Sequence, residues 1–421
     1  MSVPTNHPAA PPTDEIAEID PAWLRSALGA EATSVSAERV GTGQMGQSWR
    51  LAITWADPES SMPRSLVAKM AGGDPSTRTL IADGYRNEFL FYTAVRDSVA
   101  VRSPRCWYAT ITEDNTSFVL LFDDLAPALP GVQARGVTVN EALVAVRNLA
   151  GLHGPRWADP SLLELDGLSL PSAEGAEFHA QVLTGAIPQF VDHFAAYLGP
   201  DDEAIIAAVP DNLVAWITAR LDRYTLIHGD YRPDNLMFMP DGSMVTTLDW
   251  QTLGLGLAGR DIGYFLATSL EPDARRAHER RLVEAYHEAL IGHGVTDFSL
   301  DTCFEDYRLG VAQGPLITIL GAVYATAAPS ADSDAMFAAM ITRSCAAIRD
   351  LDPFSLLLGT TRIADSQACR KLMPVGATWN TSAAKRPPNL VASHFLLPLS
   401  MVMRSRQPCI QMILSYSARM I

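Results

Sequence analysis

The chain alternates short apolar runs with polar turn residues, and this pattern predicts both strands and helices. After the apolar pair Leu226-Ile227 comes a polar loop, followed by two apolar runs at residues 236–239 and 244–248 that are typical of short strands. The tetrapeptide Pro-Asp-Gly-Ser at 240–243 has the composition of a turn between them. Elsewhere the pattern predicts strands at 66–70 and 117–122, and helices at 85–95, 141–153 and 335–349.

An antiparallel hairpin folded about residues 241–242 would place Asn235 and Asp249 side by side at its open end. Mg²⁺ requires oxygen ligands and is usually bound by one or two protein groups together with substrate phosphates. Asn235 and Asp249 therefore suit a magnesium site, and Asp230 is left to accept a proton from an attacking hydroxyl. Isolated residues of these types are more often turns and caps, and His228 alone is more often a buried structural histidine than a catalyst.

A single lysine, Lys69, lies within the apolar strand predicted at 66–70. Its charge costs free energy in such a strand unless it is paired. Glu88 is the expected partner, because it shares the inner face of the helix predicted at 85–95 with apolar side chains three, four and seven positions later. The alternative is that Glu88 pairs with a surface arginine such as Arg86 or lies at the rim.

A glycine-rich segment at 40–51 lies between two candidate strands. Its glycines, Gly41, Gly43 and Gly46, permit positive φ angles and a close approach of backbone to phosphate. No helix pattern follows the segment, which argues against a dinucleotide-binding unit. A strand–turn–strand phosphate loop is therefore expected, and a merely flexible hairpin is the alternative.

Composition narrows the class of protein without deciding its function. A chain of 421 residues with 48% hydrophobic content can bury a large core, and its net charge of −15 removes the usual electrostatic basis for binding nucleic acid. Five cysteines without metal-ligand spacing fit a reducing cytosol, and the N-terminus lacks the features of a secretory signal. No run approaches the roughly 18 apolar residues of a membrane span. We therefore expect a cytoplasmic protein without a membrane span.

The segment LIHGDYRPDNLMFMPDGSMVTTLDWQ, which runs from Leu226 to Gln251, resembles the catalytic and metal-binding segments of the aminoglycoside phosphotransferase and choline kinase-like superfamily. The resemblance rests on H-G-D-x-x-x-x-N followed by an aspartate in a D-W pair. It implies an α+β, two-lobed protein-kinase-like fold, with a small N-terminal lobe of antiparallel sheet plus helix and a larger, mainly helical C-terminal lobe. Gly229 replaces the arginine of protein kinases, Trp250-Gln251 replace Phe-Gly, and no A-P-E segment follows, so a small-molecule kinase is favoured over a protein kinase.

The resemblance also implies ATP and Mg²⁺ as cofactors, with the ATP phosphates under the glycine-rich loop. In the superfamily the equivalent of Lys69 contacts the α and β phosphates and pairs with a helix glutamate, here Glu88. The strand at 117–122 would lead into the hinge between the lobes, and the helix at 141–153 would open the larger lobe. His153 is expected to be a packing residue of that helix.

Two residues near the catalytic segment are expected to be structural. Asp261, in a G-x-D segment, is expected to brace the catalytic loop through hydrogen bonds. Arg232 could stabilise the negative charge of a phosphate, or it could form a salt bridge with Asp234 or Asp261 and be structural. The structural role is slightly favoured.

Changes of composition predict the boundaries of the lobes. Residues 1–20 are expected to be disordered, 21–122 to form the nucleotide-binding lobe, and 123–352 the catalytic and substrate lobe. Residues 353–421 carry eight basic side chains against the single acidic residue Asp365, whereas the rest of the chain is strongly acidic. We interpret this stretch as a disordered basic tail or the product of a shifted reading frame, and a membrane- or partner-binding tail is the alternative.

The predicted function is an ATP- and Mg-dependent kinase that transfers the γ-phosphate to a hydroxyl of a small molecule, with Asp230 as base. The alternatives are an inactive nucleotide-binding scaffold and, less favoured, a protein kinase. The acceptor would be bound by residues 172–223 and 272–325, and acceptors in the superfamily include antibiotics, choline-like amines, sugars and steroid or lipid-like alcohols. Acidic residues that could bind a polycation are Asp192, Asp201, Asp202, Glu203 and Glu305. Aromatic residues compatible with a larger apolar alcohol are Phe190, Phe194, Tyr197, Trp216, Tyr264, Phe265 and Tyr307.

Overall fold

A computed structural model describes residues 10–41, 46–324 and 329–357, which form two lobes. The smaller, N-terminal lobe contains a five-stranded antiparallel sheet and two helices, and the larger lobe is mainly helical with two small sheets. The α+β, two-lobed fold that the sequence predicts is therefore confirmed.

The strands of the small lobe are β1 (Ala32–Val40), β2 (Gly46–Trp55), β3 (Ser65–Ala71), β4 (Cys106–Ile111) and β5 (Phe118–Asp123). They pair in the order β1-β2-β3-β5-β4, and every pairing is antiparallel. Helix α1 (Pro21–Leu28) covers one face and helix α2 (Ala82–Leu90) the other. A π-helical turn at Phe91–Val95 continues α2. The helix predicted at 85–95 is therefore present, but the backbone hydrogen bonds of its second half span five residues instead of four.

The apolar run of β5 reflects a sheet that is buried on both faces. Successive side chains of a strand point to opposite faces, so Val119 and Leu121 pack in the cluster beneath α1, whereas Leu120 packs with Tyr85 of α2. Lys69 of β3 is the cross-strand partner of Leu120 and therefore points towards α2. The alternation in β3 and β5 thus directs the lysine to the helix that carries its expected partner.

The helices of the large lobe are α3 (Val139–His153), α4 (Ala173–Phe194), α5 (Pro200–Ile217), α6 (Gly259–Ser269), α7 (Pro272–Gly292), α8 (Leu300–Gly310), α9 (Gln313–Tyr324) and α10 (Ala331–Leu351). Short 3-10 turns lie at Ile16–Glu18, Pro75–Leu80, Arg96–Ser98, Pro160–Glu164, Leu221–Arg223, Pro233–Asn235 and Pro353–Leu357. The predicted helices at 141–153 and 335–349 lie within α3 and α10. Among the described residues, no helix combines the length and apolar character needed to cross a bilayer.

The strands of the large lobe are β6 (Leu129–Pro130), β7 (Tyr224–Ile227), β8 (Leu236–Phe238), β9 (Val245–Thr247) and β10 (Gly254–Leu257). β8 and β9 form the predicted hairpin, with Leu236 opposite Thr247 and Phe238 opposite Val245. The turn is closed by a hydrogen bond from the amide of Ser243 to the carboxylate of Asp241 (2.9 Å). β6 pairs with the outer side of β8, and β10 pairs with β7.

Helices α6 and α8 cross with their backbones in contact, which only glycine permits. A Cβ atom added to Gly310 of α8 would lie 1.7 Å from the carbonyl oxygen of Gly259, and one added to Gly263 of α6 would lie 2.3 Å from the carbonyl carbon of Gly310. This crossing sets the position of α6, which carries residues that contact the catalytic loop.

Residues 10–20 belong to the segment expected to be disordered, and two of its carbonyls accept hydrogen bonds from the small lobe. The carbonyl of Ala10 accepts from the hydroxyl of Tyr108 (2.5 Å), and that of Pro11 accepts from the indole of Trp23 (2.9 Å). Pro11 and Pro12 have no amide hydrogen to donate. These two hydrogen bonds therefore use carbonyls of the segment, and Tyr108 and Trp23 of the small lobe supply the donors. Residues 1–9 lie outside the described part.

At the other end, the 3-10 turn at Pro353–Leu357 follows the boundary expected at 352, and Leu357 is buried against apolar side chains of the large-lobe helices. The remainder of the basic segment, residues 358–421, lies outside the described residues. The expectation for that segment stays a prediction.

Replacing Gly310 by Ala should destabilise the protein by at least about 3 kcal/mol, because the new methyl group overlaps a backbone carbonyl that has nowhere to move. The matched control is Gly185→Ala, since Gly185 lies within α4 and a Cβ there would meet nothing within 4 Å. That control should stabilise by roughly 0.5–1 kcal/mol. Urea unfolding of both variants measures the difference, and equal stabilities would contradict the close crossing of α6 and α8.

Candidate active site

The candidate catalytic loop begins where β7 ends, and His228 attaches it to the end of the hairpin. The His228 side chain is completely buried, and its Nε2 donates to the carbonyl of Leu248 (2.9 Å). Its Nδ1 accepts from the amide of Asp230 at 3.3 Å, which corresponds to a neutral ring. His228 is therefore a buried structural histidine, as its residue type suggests.

Asp261 of α6 braces the loop from the other side. Its two carboxylate oxygens accept the backbone amides of His228 (2.6 Å) and Gly229 (2.9 Å), and the Nε2 of His153 is 3.1 Å away. Burial alone would raise the pKa of Asp261, but the hydrogen bonds from His153 and the backbone outweigh it and the pKa is lowered. His153 is held in turn by the hydroxyl of Tyr286 (2.5 Å). The hydrogen bonds expected of Asp261 are therefore present, whereas His153, expected to be a packing residue, is buried and hydrogen-bonded between Asp261 and Tyr286.

Asp230 receives hydrogen bonds on both carboxylate oxygens. Its Oδ2 accepts from the Nε of Arg232 (3.0 Å) and the Nδ2 of Asn235 (3.0 Å). Its Oδ1 accepts from the hydroxyl of Tyr264, which reaches it from α6 at 2.8 Å. The carboxylate is thus fixed in orientation by three donors from the loop and one helix.

Arg232 lies between two carboxylates, those of Asp230 and Asp234, and its Nη1 is 2.6 Å from Asp234 and 3.2 Å from the sulfur of Met336. Of the two ion pairs expected for it, the one with Asp234 is present. The one with Asp261 is not, because that carboxylate is occupied by the loop amides. The contact with Asp230 was not anticipated.

Lys69 binds carboxylates from both lobes. Its Nζ is 2.7 Å from Glu88 Oε2 and 3.3 Å from Asp249 Oδ1. Burial opposes its charge, but Asp249 and Glu88 outweigh that effect and raise the pKa of Lys69. The predicted pair with Glu88 is confirmed, and Arg86 instead pairs with Asp83 (3.1 Å). The lysine therefore connects the small sheet to the end of the hairpin.

Asp249 lies one residue beyond the paired part of the hairpin. The amide of Leu248 donates to the carbonyl of Asn235 (2.9 Å), so the observed register places Asn235 opposite Leu248, and Asp249 follows one residue later. Asp249 has a φ angle of 61°, a left-handed conformation that costs free energy in a residue with a Cβ and is concentrated at functional sites. The turn directs its half-exposed carboxylate towards Lys69.

Helix α2 and the turn that continues it are held against the residues that follow Asp249 by ring stacking and hydrogen bonds. The ring of Trp250 stacks on Phe91 with centroids 3.5 Å apart and planes 6° from parallel. Asn87 donates to the carbonyls of Gln251 (3.3 Å) and Leu253 (3.2 Å), and Gln251 donates to Glu88 (3.3 Å). The position of Glu88 therefore depends directly on the segment after the hairpin.

The sequence patterns did not predict that three further residues contact the site: Tyr264, Gln251 and Gln313. Gln313, the first residue of α9, donates to the carbonyl of Gly229 (2.7 Å). A signal existed for Tyr264, because it lies three positions after Asp261 and therefore on the same face of α6. None existed for Gln313, since its contact depends on how α9 packs against the loop.

The glycine-rich segment joins β1 to β2, as expected for a strand–turn–strand loop. Gly41 has a φ angle of 74°, and a Cβ added to Gly46 would lie 3.2 Å from the carbonyl of Met70 and 3.4 Å from Cε of Lys69. The end of the loop thus lies against the lysine. Gly43, the third glycine predicted to bind the cofactor, lies outside the described residues.

The residues present are compatible with a magnesium ion held partly by a nucleotide. The amide nitrogen of Asn235 faces Asp230, which leaves its oxygen directed away, and Asp249 uses only Oδ1 in its ion pair with Lys69. Within the described ranges, no group of three or more His, Cys, Asp or Glu side chains could hold a metal ion. Two protein ligands supplemented by phosphate oxygens are what Mg²⁺ commonly uses.

The sequence profile of the ecdysteroid kinase-like family matches residues 43–294, which is more than half of the chain. The matched range contains Lys69, Glu88 and the whole segment from Leu226 to Gln251, and it agrees with the kinase-like resemblance of those residues. No curated protein matches the chain.

Several solved structures resemble this one at low identity. A Ralstonia eutropha protein provisionally assigned as an aminoglycoside phosphotransferase has 16% identity and a TM-score of 0.46, covering 77% of this chain and 96% of that one. Ethanolamine kinase of Plasmodium vivax has 11% identity and a TM-score of 0.45, covering 77% and 86%. The GDP complex of aminoglycoside 2'-phosphotransferase-IIIa has 14% identity and a TM-score of 0.45, covering 74% and 92%. Similarities at this level say nothing of the substrate.

Replacing Asp261 by Asn should cost about 2 kcal/mol of stability at neutral pH, because one loop amide loses its acceptor. The pKa of Asp261 is lowered in the folded state, so its stabilising contribution is present above the unfolded pKa of about 3.9 and is lost as the pH falls through the folded value. The gap between wild type and variant should therefore narrow below about pH 4.

Urea unfolding at a series of pH values measures this gap. Asp222→Asn is the control, since its side chain is 76% exposed and should contribute little at any pH. A gap for Asp261→Asn that stayed constant down to pH 3 would show that the pKa of this carboxylate is not lowered in the folded protein.

Proposed function

The chain belongs to the ecdysteroid kinase-like family, and from this membership and the geometry of the site we propose that it transfers the γ-phosphate of ATP to a hydroxyl of a small molecule. Asp230 is the base, Asn235 and Asp249 are the ligands of Mg²⁺, and Lys69, held by Glu88, binds the nucleotide phosphates. Gly41, Gly43 and Gly46 belong to the loop above those phosphates.

One observation carries the proposal: a single hairpin connects the base to the phosphate-binding lysine. Asn235, before its first strand, is hydrogen-bonded to Asp230, and Asp249, after its second strand, is paired with Lys69. The two strands fix the separation of these groups, so an attacking hydroxyl and a phosphate chain can be held in line by one rigid element. Such positioning is most of what phosphoryl transfer requires of a protein.

In the proposed reaction Asp230 orients the acceptor hydroxyl and takes its proton as the oxygen bonds to the γ-phosphorus. The bond from that phosphorus to the bridging oxygen of ADP breaks in the same step. Arg232 and Asn235 donate to Oδ2 of Asp230, so the carboxylate keeps one orientation throughout. Arg232, two residues after the base, forms ion pairs with both Asp230 and Asp234.

On the nucleotide side, Lys69 binds the α and β phosphates, and Glu88 with Gln251 keeps its ammonium group in place. A magnesium ion bound by Asn235 and Asp249 would neutralise charge on the transferring phosphoryl group. Trp250 secures the arrangement by stacking on Phe91, which fixes α2 relative to the hairpin.

We take the acceptor to be an alcohol with apolar surface, and the name of the family points the same way. Two of the acidic residues that could bind a polycation are already neutralised, Asp202 by Arg349 and Glu305 by Arg220. The sulfur of Met336 contacts Arg232, so the wall beside the base is partly apolar. Most of the aromatic residues considered for the acceptor are core residues, so they do not bear on its identity: Phe190, Phe194, Trp216, Tyr264, Phe265 and Tyr307.

A pool of steroid alcohols, amino alcohols, sugars and aminoglycosides should contain an acceptor that gains one phosphate with Mg-ATP, detected by mass spectrometry. Asp230→Asn should lower that rate roughly 10²- to 10⁴-fold, because it removes the base. The variant should still be stabilised by Mg-ATP in a thermal shift, since Lys69 and Asp249 are unchanged.

Asp241→Asn is the matched control, because Asp241 lies in the exposed turn of the same hairpin. It should retain the wild-type rate. Equal rates for Asp230→Asn and wild type would show that Asp230 is not the base.

Asp249→Asn should weaken the binding of magnesium that accompanies the nucleotide. The Mg²⁺ concentration for half-maximal thermal stabilisation by ATP should rise at least about tenfold, since even groups that only orient a metal ligand cost 10- to 100-fold. Asp114→Asn, in the exposed turn between β4 and β5, is the control and should leave the midpoint unchanged. An unchanged midpoint for Asp249→Asn would remove Asp249 from the metal site.

A further inference from the structure

Asp14 connects the N-terminal segment, residues 10–20, to two other parts of the small lobe. Its Oδ2 is 2.6 Å from Nη1 of Arg78, and its Oδ1 accepts from the hydroxyl of Ser117 at 2.6 Å. The side chain of Arg78 is 6% exposed and that of Asp14 is 39% exposed. Because the arginine is shielded from water, this ion pair is screened less than one between two exposed side chains.

Arg78 holds the backbone that leaves β3. Its Nε donates to the carbonyl of Gly72 (3.0 Å) and its Nη2 to that of Gly73 (3.4 Å), while its Nη1 binds Asp14. The donors of a guanidinium lie in one rigid plane, so a carboxylate bound to one of them orients the others. Asp14 therefore orients the group that holds the end of β3.

This backbone lies against the point where the glycine-rich segment rejoins the sheet. A Cβ added to Gly72 would lie 3.1 Å from the carbonyl carbon of Gly46 and 3.4 Å from the amide nitrogen of Gln47. Gly46 in turn lies against Lys69, since a Cβ added there would be 3.4 Å from Cε of the lysine. Closely packed groups transmit a displacement, so the position of Gly72 affects both Gly46 and Lys69.

A second path connects Asp14 to the same place through its main chain. Its carbonyl accepts from Nε2 of Gln47 at 3.4 Å, and the same nitrogen donates to the carbonyl of Ala71 at 3.1 Å. Gln47 is the residue that follows Gly46. The side chain and the main chain of Asp14 therefore both act on the end of the glycine-rich segment.

We propose that Asp14 is a positioning residue for nucleotide binding, which holds Gly46 and Lys69 in the arrangement that receives the phosphates. The inference rests on the proposed role of these two residues as part of the phosphate site. Groups that are already held in their bound arrangement lose less conformational freedom when a ligand binds, so the ligand binds more tightly. Asp230 belongs to the large lobe, so Asp14 affects the affinity for ATP and not the transfer step.

The test is the dissociation constant of Mg-ATP, measured by titration calorimetry on the full chain with no acceptor present. Asp14→Ala should raise it roughly three- to tenfold, within the range by which residues without a ligand contact change an affinity. Asp14→Asn should lose less, because its amide oxygen can still accept from Arg78. In the transfer reaction, Asp14→Ala should raise KM for ATP by the same factor and leave kcat unchanged.

A double-mutant cycle tests the path through the arginine. Arg78→Met should raise the dissociation constant of Mg-ATP at least as much as Asp14→Ala does. Adding Asp14→Ala to Arg78→Met should then raise it no further, because the contact is already lost. Losses that multiply in the double variant would overturn the path through Arg78.

Tyr108→Phe is the matched control. The hydroxyl of Tyr108 holds the same N-terminal segment, but at the carbonyl of Ala10. This variant should bind Mg-ATP as tightly as wild type. Equal weakening by Tyr108→Phe and Asp14→Ala would show that the segment acts only by stabilising the lobe, and that result would overturn the proposal.

The outcomes separate this inference from the proposed function. If wild type does not bind Mg-ATP, the nucleotide site is wrong, and the proposed function and the inference fail together. If wild type binds Mg-ATP and Asp14→Ala has the same dissociation constant, only the inference fails.

Discussion

The carboxylate of Asp261 is the group on which the geometry of the site depends. A buried charge is expensive unless it is hydrogen-bonded, and here two loop amides and a histidine ring donate to the carboxylate. Because the amides belong to His228 and Gly229, the requirement to satisfy the carboxylate fixes the backbone immediately before Asp230. The same helix then provides Tyr264, which donates to the carboxylate of Asp230. One element thus determines both the path of the loop and the orientation of this carboxylate.

The site also depends on contacts between the lobes that place Glu88. Lys69 is positioned by the small sheet, Asp249 by the hairpin, and Glu88 by α2, so their meeting requires three elements to be in register. The stacking of Trp250 on Phe91 and the hydrogen bonds of Asn87 attach α2 to the segment after the hairpin. Tryptophan in the place where protein kinases have phenylalanine therefore has a physical role here. By stacking on Phe91, its large, flat ring holds the two lobes in the arrangement that brings Lys69 to Glu88 and Asp249.

Local patterns in the sequence predicted the parts of this arrangement that depend on local rules. The hairpin register followed from two apolar runs about a Pro-Asp-Gly-Ser turn, and the pair of Lys69 and Glu88 followed from which face of a strand and a helix each occupies. Gln313 could not be predicted in this way, because its contact with the loop depends on how α9 packs. Tyr264 shares a face of α6 with Asp261, but its contact with Asp230 also requires the position of α6, which contacts between glycines distant in the chain set at the crossing with α8. The same limit explains why aromatic residues considered for an acceptor pocket proved to be core.

The charges of the site have a further consequence for nucleotide binding. One group combines Lys69 with Glu88 and Asp249, and the other combines Arg232 with Asp230 and Asp234, so each holds two carboxylates against one cation. Burial acts against the charge of Arg232, but Asp230 outweighs it and the pKa of Arg232 is raised, so this cation is permanent. Together the two groups leave two uncompensated negative charges beside the hairpin, where a triphosphate without a metal would be repelled. In the proposed function, a divalent cation therefore has to bind with the nucleotide rather than after it, because the chain supplies no spare positive charge among these groups.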